Sequence, residues 1–548
     1  MEYYLKSKCQ PMVKALFTVC LYCAVVCSFG PSYATAELVQ SEKLDIAKVW
    51  AGHPVNFAIK TLNNFQCVAY YDTTRKMVIA SRTIGSGTWS YTTLRTTPTG
   101  WDSHNYIDMA IDDSGYVHVS GDMHNVKLIY FRSKKPWNTS AFDSPGMVGT
   151  LENSVTYPVF IKGPSNKLFF QYRDGGSGSG TTLWNSYDLS AKKWSRITEQ
   201  GLFNGGNQVN AYQTSPVLGP DSFFHVIWMW RDDPNANTNH HLSHIKSKDL
   251  IKWQTMAGQN IAPPVTQSTS GVVVDPVQSR RGLINMDFWI SWDRKNRAVL
   301  TYHRYDNNNI SQIFNTRWEE NSWKIYQTST WTDFKWDLER TGSLGHDIAA
   351  QPLTVDEKGE LVQHYVYRAG PLRCWVLDEE SLQQKSDGLY TAPGPKQVLY
   401  KVESSFDSMQ VNFIQDGDYY IRWETMPINM DQARPNGTYP SSDMLQLYKF
   451  TAPTVALKHS TLHQDSPYAI HKASGKIILH FAGTEKGTSY EVALLAINGK
   501  IIVRRKTSAL SCSIPTSHVR NGVYVLRVAE SIDGIAGLPL IEKVVIRK

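Results

Sequence analysis

A short polar turn followed by an alternating, aromatic-rich run recurs seven times along the chain. The turns Leu62-Asn63-Asn64, Asp112-Asp113-Ser114-Gly115, Gly163-Pro164-Ser165-Asn166 and Gly219-Pro220-Asp221 precede runs at 67–71, 116–120, 168–173 and 223–231. Asp293-Arg294-Lys295-Asn296, Asp356-Glu357-Lys358-Gly359 and Asp416-Gly417-Asp418 precede runs at 298–304, 361–368 and 419–423. Period-two alternation bounded by Asp, Asn, Gly and Pro reads as strand and turn, and no helical period of any length interrupts it. The spacing of about 50 to 75 residues gives each repeat room for one four-stranded blade. The pattern therefore predicts an all-β fold, a seven-bladed β-propeller over 37–454. The long interval 232–292 has room for a further hairpin, which leaves six- and eight-bladed rings open.

The two ends read differently. From about residue 466 short alternating strands at 476–481, 490–497, 501–505, 523–528 and 544–546 are split by Asn498-Gly499 and Asn521-Gly522. Asn-Gly between alternating runs is a strong hairpin signal, so a small C-terminal β-sandwich is expected over 466–548. At the other end Lys6, Lys8 and Lys14 precede an apolar run from 15 to 29 and then Ala34-Thr35-Ala36. That layout predicts a signal peptide over 1–36, cleaved after Ala36, and export without membrane insertion, since the run is short for a bilayer and no second one follows.

Composition narrows the class. Of 548 residues 41% are hydrophobic and 19% charged, and 17 Trp, 28 Tyr and 19 Phe favour aromatic-rich β-structure over disorder or coiled coil and suit sugar binding. The net charge of +7 is terminal: residues 1–36 carry +2, residues 455–548 carry +7, and the body between carries −2. A nucleic-acid face is thereby excluded from the expected partners, and an anionic ligand must be met by a few local cations. Four of seven cysteines leave with the leader, and Cys67, Cys374 and Cys512 are too scattered for a disulfide framework.

Candidate chemistry gathers around the second and third repeats. His104-Asn105, in Trp101-Asp102-Ser103-His104-Asn105-Tyr106, and His124-Asn125, in Asp122-Met123-His124-Asn125, flank one run and its turn. Both imidazoles are thus directed to one pocket, unless His-Asn serves only to close turns. Tyr157-Pro158 and Gln171-Tyr172-Arg173-Asp174-Gly175-Gly176-Ser177-Gly178 follow, and the glycines after Arg173 allow close approach of a ligand to the backbone. Arg231, Arg304 and Arg368 also end their runs. A strand-terminal arginine is therefore either a brace between blades or part of a cationic funnel suited to an acidic sugar.

The stretch Val49-Trp50-Ala51-Gly52-His53-Pro54-Val55-Asn56-Phe57, with Ala69-Tyr70-Tyr71-Asp72, His104-Asn105, His124-Asn125, Tyr157-Pro158 and Tyr172-Arg173-Asp174-Gly175-Gly176-Ser177-Gly178, resembles the BNR-repeat propeller family of ulvan lyases and related rhamnosyl-glucuronate lyases and rhamnosidases. The degenerate Asp-box turn Ser247-Lys248-Asp249 with Trp253 is similar to those of sialidase-like propellers. The resemblance spans about 45 to 450. It implies a lyase acting on rhamnose–uronate linkages of an acidic, ulvan-like polysaccharide, with His104 and Tyr157 as the acid/base pair in either order, Arg173 as carboxylate neutraliser and His124 as a further active-site histidine. Tyr212, in Asn210-Ala211-Tyr212-Gln213, is a looser match to a substrate-contacting tyrosine, and Asn105 and Arg231 complete the candidate substrate-binding set. Such catalysis requires no metal. The family also holds a structural metal ion, zinc or calcium, in some members, for which His346, His364 and Cys374 are candidate ligands. The alternative within the same resemblance is an α-L-rhamnosidase acting on rhamnose-capped arabinogalactan through His53 from the opposite face of the ring, and a non-catalytic glycan-binding propeller is the third reading.

Asn521-Gly522-Val523-Tyr524-Val525-Leu526-Arg527, with the terminal Lys543-Val544-Val545-Ile546-Arg547-Lys548, resembles the C-terminal sorting domain of the type IX secretion system. It implies secretion machinery as a partner and a secreted or cell-surface location. A carbohydrate-binding module is the alternative for the same sandwich.

Overall fold

The computed structural model describes residues 39–94, 101–342, 344–356, 358–391 and 394–451, and, in the C-terminal region, 468–473, 476–481, 488–496, 501–516, 519, 522–532, 535–536 and 540–546. The signal peptide expected at 1–36, the turn Asn498-Gly499, Asn521 and the last two residues lie outside them. The chain divides into two compact units, Met1–Ala452 and Pro453–Lys548.

Among the described residues the first unit holds seven antiparallel sheets, and it is a seven-bladed β-propeller. All seven sequence turns sit between the first and second strands of a blade, for example between Ile107–Ile111 and Val117–Gly121 and between Val155–Lys162 and Leu168–Asp174. The reason is local. Asp112 accepts the backbone N–H groups of Ser114 and Tyr116 on one oxygen, both at 2.9 Å, and Asp293 and Asp356 do the same in their own turns. An aspartate that caps a turn in this way favours the reversal wherever it is placed between two apolar runs. The interval 232–292 holds no eighth blade. Its short strands Asn260–Ile261 and Val273–Asp275 extend the sheet of the fourth blade instead.

Ring closure joins residues some four hundred positions apart. Strand Val39–Val49 pairs antiparallel with Asp443–Thr451 as the outer strand of the seventh blade, whose other strands are Tyr419–Thr425 and Gln410–Asp416. This pairing removes the free edges an open ring would expose. Phe57 of the first blade stacks on Trp423 of the seventh at 4.4 Å and adds an apolar clasp. Antiparallel alternation puts the seven sequence turns on one face. The loops that enter each first strand, and those that leave each second strand, open on the other.

The second unit has sheets of order Tyr468–Ala473, Lys476–Phe481, Ser511–Pro515 and Ile501–Thr507, Thr488–Ala496, Gly522–Ile532, the last also pairing Leu540–Ile546. Ile477, Leu479, Phe481, Val492, Leu494, Ile514 and Leu526 form the core between them, which makes this unit a β-sandwich.

Candidate active site

Three short backbone features aim the candidate side chains. Asp102, in extended conformation, caps a single 3-10 turn, Ser103–Asn105, by accepting the backbone N–H of His104 at 2.9 Å. The turn is held from below, because the carbonyl of Asn105 accepts the Tyr71 hydroxyl at 2.5 Å. Tyr157 lies in the first strand of the third blade at a register irregularity between Thr156 and Val159, with φ of 60°. Such a bulge re-aims a side chain out of the strand's alternation. Thr156 is the cross-strand partner of both Arg173 and His124, and its hydroxyl accepts the Asn125 N–H at 2.8 Å and an Arg173 N–H at 3.1 Å.

These features bring His104, His124, Tyr157 and Arg173 together. His104 Nε2 lies 3.1 Å from the Tyr157 hydroxyl, and His104 Nδ1 lies 2.6 Å from Asp102 Oδ1. His124 Nδ1 contacts the other Asp102 oxygen, and the two imidazoles stack with centroids 4.0 Å apart at 18°. The Arg173 guanidinium sits 5.0 Å over the Tyr157 ring. Arg173 is 3% exposed and its Nε has no hydrogen-bond partner. A buried guanidinium nitrogen left unpaired is costly unless a ligand or water meets it.

Electrostatics separate the two kinds of group. Burial holds the Tyr157 phenol well above the usual tyrosine range, with Tyr212 and Asp102 adding to it against the pull of Arg173 and Arg231, so the hydroxyl keeps its proton. Burial also pushes the Asp102 carboxyl up, but hydrogen bonds from His104 and His124 outweigh it and hold the group well below the carboxylate range.

Of the candidate substrate-binding residues, Tyr212 joins the cluster: its hydroxyl contacts Ser177 Oγ at 2.8 Å and accepts from Arg173 at 3.4 Å. Arg231 stacks on the Tyr212 ring at 5.3 Å, but its guanidinium also donates to the carbonyls of Asp233, Pro234 and Asn235, which is a loop-bracing role. Asn105 is buried, and it serves the site through its backbone. The other strand-terminal arginines are braces. Arg304 pairs with Asp275 and Arg368 with Asp333, whereas no carboxylate pairs with Arg173 among the described residues.

His53 differs from expectation. It lies in the loop entering the first blade's first strand, on the same face as His104 rather than the opposite one, 4.0 Å from Asp431 and within electrostatic reach of Asp102. It is 1% exposed, and burial lowers its basicity.

His346, His364 and Cys374 do not converge as a metal site. His346 Nδ1 contacts Asp287, whereas His364 and Cys374 face each other across neighbouring strands and the Cys374 thiol donates to the Trp375 carbonyl. Among the described residues, the metal-capable trio with ligand atoms within 4.8 Å is Asp102, His104 and His124. There each carboxylate oxygen is already matched to one imidazole Nδ1, so the set is complete as a hydrogen-bonded group. Sequence reading missed Asp102, Thr156 and Ser177. Asp102 alone carried a signal, an N-cap residue two positions before His104.

The profile of the BNR repeat-containing family matches residues 65–331. No curated protein sequence matches the chain significantly. Among solved structures, an ulvan lyase of the polysaccharide lyase family PL25 superposes with a TM-score of 0.50 at 14% identity, covering 74% of this chain and 95% of its own. The same type of enzyme bound to -[GlcA(1-4)Rha3S]- superposes equally well, at 13% identity with the same coverage. Residues 65–331 thus match the BNR-repeat profile, and the propeller shares its fold with these ulvan lyases.

Proposed function

We propose that the propeller is a polysaccharide lyase that cleaves rhamnose–uronate linkages of an acidic, ulvan-like polysaccharide by β-elimination. The observation that carries this reading is the contact of the Tyr157 hydroxyl with His104, with the guanidinium of Arg173 over the ring of the same tyrosine. The C5 proton of a 4-linked uronate is weakly acidic, because its carboxylate is already negative. Arg173 neutralises that carboxylate and stabilises the enolate that develops as the proton leaves. His104 accepts the proton through Nε2, and Tyr157, kept protonated by burial, protonates the leaving O4. With acid and base 3.1 Å apart on one side of the sugar, the arrangement suits syn elimination. In a glucuronate, H5 and O4 lie on the same ring face, which is the geometry this requires.

The hydrolase reading places its chemistry on His53, whose ring nitrogens have no hydrogen-bond partner to fix a tautomer or aim either of them at a sugar. A glycan-binding propeller without activity does not require a phenol hydrogen-bonded to an oriented imidazole. The test is incubation with ulvan and with rhamnose-capped arabinogalactan, following ultraviolet absorbance of an unsaturated uronate and release of free rhamnose. Absorbance is the expected result, and free rhamnose without absorbance overturns the reading.

The leader and sandwich are read as export signals, with the protein secreted or held at the cell surface. No helix among the described residues is long and apolar enough to cross a membrane. Deleting residues 453–548 is expected to leave turnover on soluble substrate within about twofold while abolishing surface delivery. Loss of turnover on insoluble polymer alone, with delivery intact, would identify the sandwich as a carbohydrate-binding module.

A further inference from the structure

Asp102, which caps the 3-10 turn, has no part in the chemistry assigned so far, yet it is the group on which both histidines converge. A carboxylate only accepts hydrogen bonds. With Asp102 ionised, the proton of neutral His104 therefore sits on Nδ1, and the lone pair on Nε2 faces the Tyr157 hydroxyl. The same carboxylate holds Nδ1 of His124, which stacks on His104 and blocks rotation of its ring. Asp102 is itself fixed, because Oδ1 also accepts the backbone N–H of His104 and the N–H of Ser103, between them, donates to Asp431 at 3.4 Å. The opposite tautomer would present an N–H to Tyr157 and leave no acceptor for the C5 proton.

We propose, resting on the lyase reading above, that Asp102 is a positioning residue: it fixes His104 in the tautomer that accepts a proton at Nε2 and locks His124 against it. The logic is that of the orienting carboxylate in a hydrolase triad, transferred to a His–Tyr pair.

Asp102→Asn tests it. Asparagine retains an oxygen to cap the 3-10 turn, so the fold of the turn survives. Its one oxygen, kept on the turn and on His104 Nδ1, leaves the amide N–H2 to His124, so His124 changes tautomer and the imidazolium that His104 becomes on taking the proton loses its counter-charge. Turnover is expected to fall by about 10²- to 10⁴-fold with KM within about threefold. The double variant Asp102→Asn/His104→Ala should be no slower than His104→Ala alone, because Asp102 acts through His104. Additive losses, a change confined to KM, or near-normal turnover in Asp102→Asn would each overturn the proposal. So would loss of wild-type activity on chelation with recovery on adding zinc, which would make the trio a metal centre. Absence of any unsaturated product from the wild type would defeat the lyase reading instead. The positioning role is then still read from imidazole ¹⁵N resonances, assigned by comparison with His104→Ala. An Nδ1–H tautomer at His104, with a His124 tautomer that converts in Asp102→Asn, supports it, and an Nε2–H tautomer at His104 in the wild type overturns it.

Discussion

Arg173→Ala should lower turnover on an acidic polysaccharide by about 10³-fold or more, the scale seen when a charge-stabilising donor is removed from a developing oxyanion. Arg173 is buried, its Nε has no partner, and its remaining bonds go to neutral hydroxyls of Thr156 and Tyr212 rather than to a carboxylate. A guanidinium held so retains its charge for an incoming anion. Arg173→Lys should recover little, because a lysine cannot offer two parallel donors to a carboxylate and does not stack flat over Tyr157. Loss should appear mainly in kcat, since the carboxylate gains charge density on the way to the enolate. Steady-state kinetics by absorbance of the unsaturated product measures it, with thermal melting as a check on folding. Near-normal turnover in Arg173→Ala would return this arginine to the bracing role that Arg304 and Arg368 perform.

That contrast among arginines shows where sequence legibility ends. All four occupy the same place in their repeats, and the chain alone leaves brace and ligand equally open. What separates them is a carboxylate brought from elsewhere, Asp275 for Arg304 and Asp333 for Arg368, or the carbonyls of a local loop for Arg231. The seven blades were legible because turns bearing aspartate, asparagine or glycine act locally, within four residues of themselves. Closure by Val39–Val49 was not, because its partner is at the far end of the unit and no local rule names it. The interval at 232–292 had room for another hairpin by length, but its strands were too short to do more than edge an existing sheet. Within the site, residue types were legible and aim was not. The left-handed backbone at Tyr157 turns it towards His104, and a non-glycine residue at that φ carries no mark in the sequence.

Tyr157→Phe and His53→Ala together discriminate the two enzyme classes. Phenylalanine keeps the ring beneath Arg173 and its cation–π contact at 5.0 Å, and removes only the hydroxyl. It therefore isolates proton transfer from packing, and turnover by elimination is expected to fall by about 10²- to 10⁴-fold. His53→Ala should keep elimination within about fivefold, because neither of its ring nitrogens has a hydrogen-bond partner and the group is shut off from solvent. Its contact is with Asp431, 4.0 Å away, whose carboxylate also meets the Ser103 N–H, so some loss of thermal stability is expected from the cavity left behind. Melting temperature measured beside turnover keeps that effect apart from catalysis. If hydrolysis at His53 were the activity, the pattern would invert: free rhamnose would still be released by Tyr157→Phe and would cease in His53→Ala. Both variants assayed on both substrates decide it, and the inverted pattern removes the lyase assignment together with the roles given to His104 and Arg173.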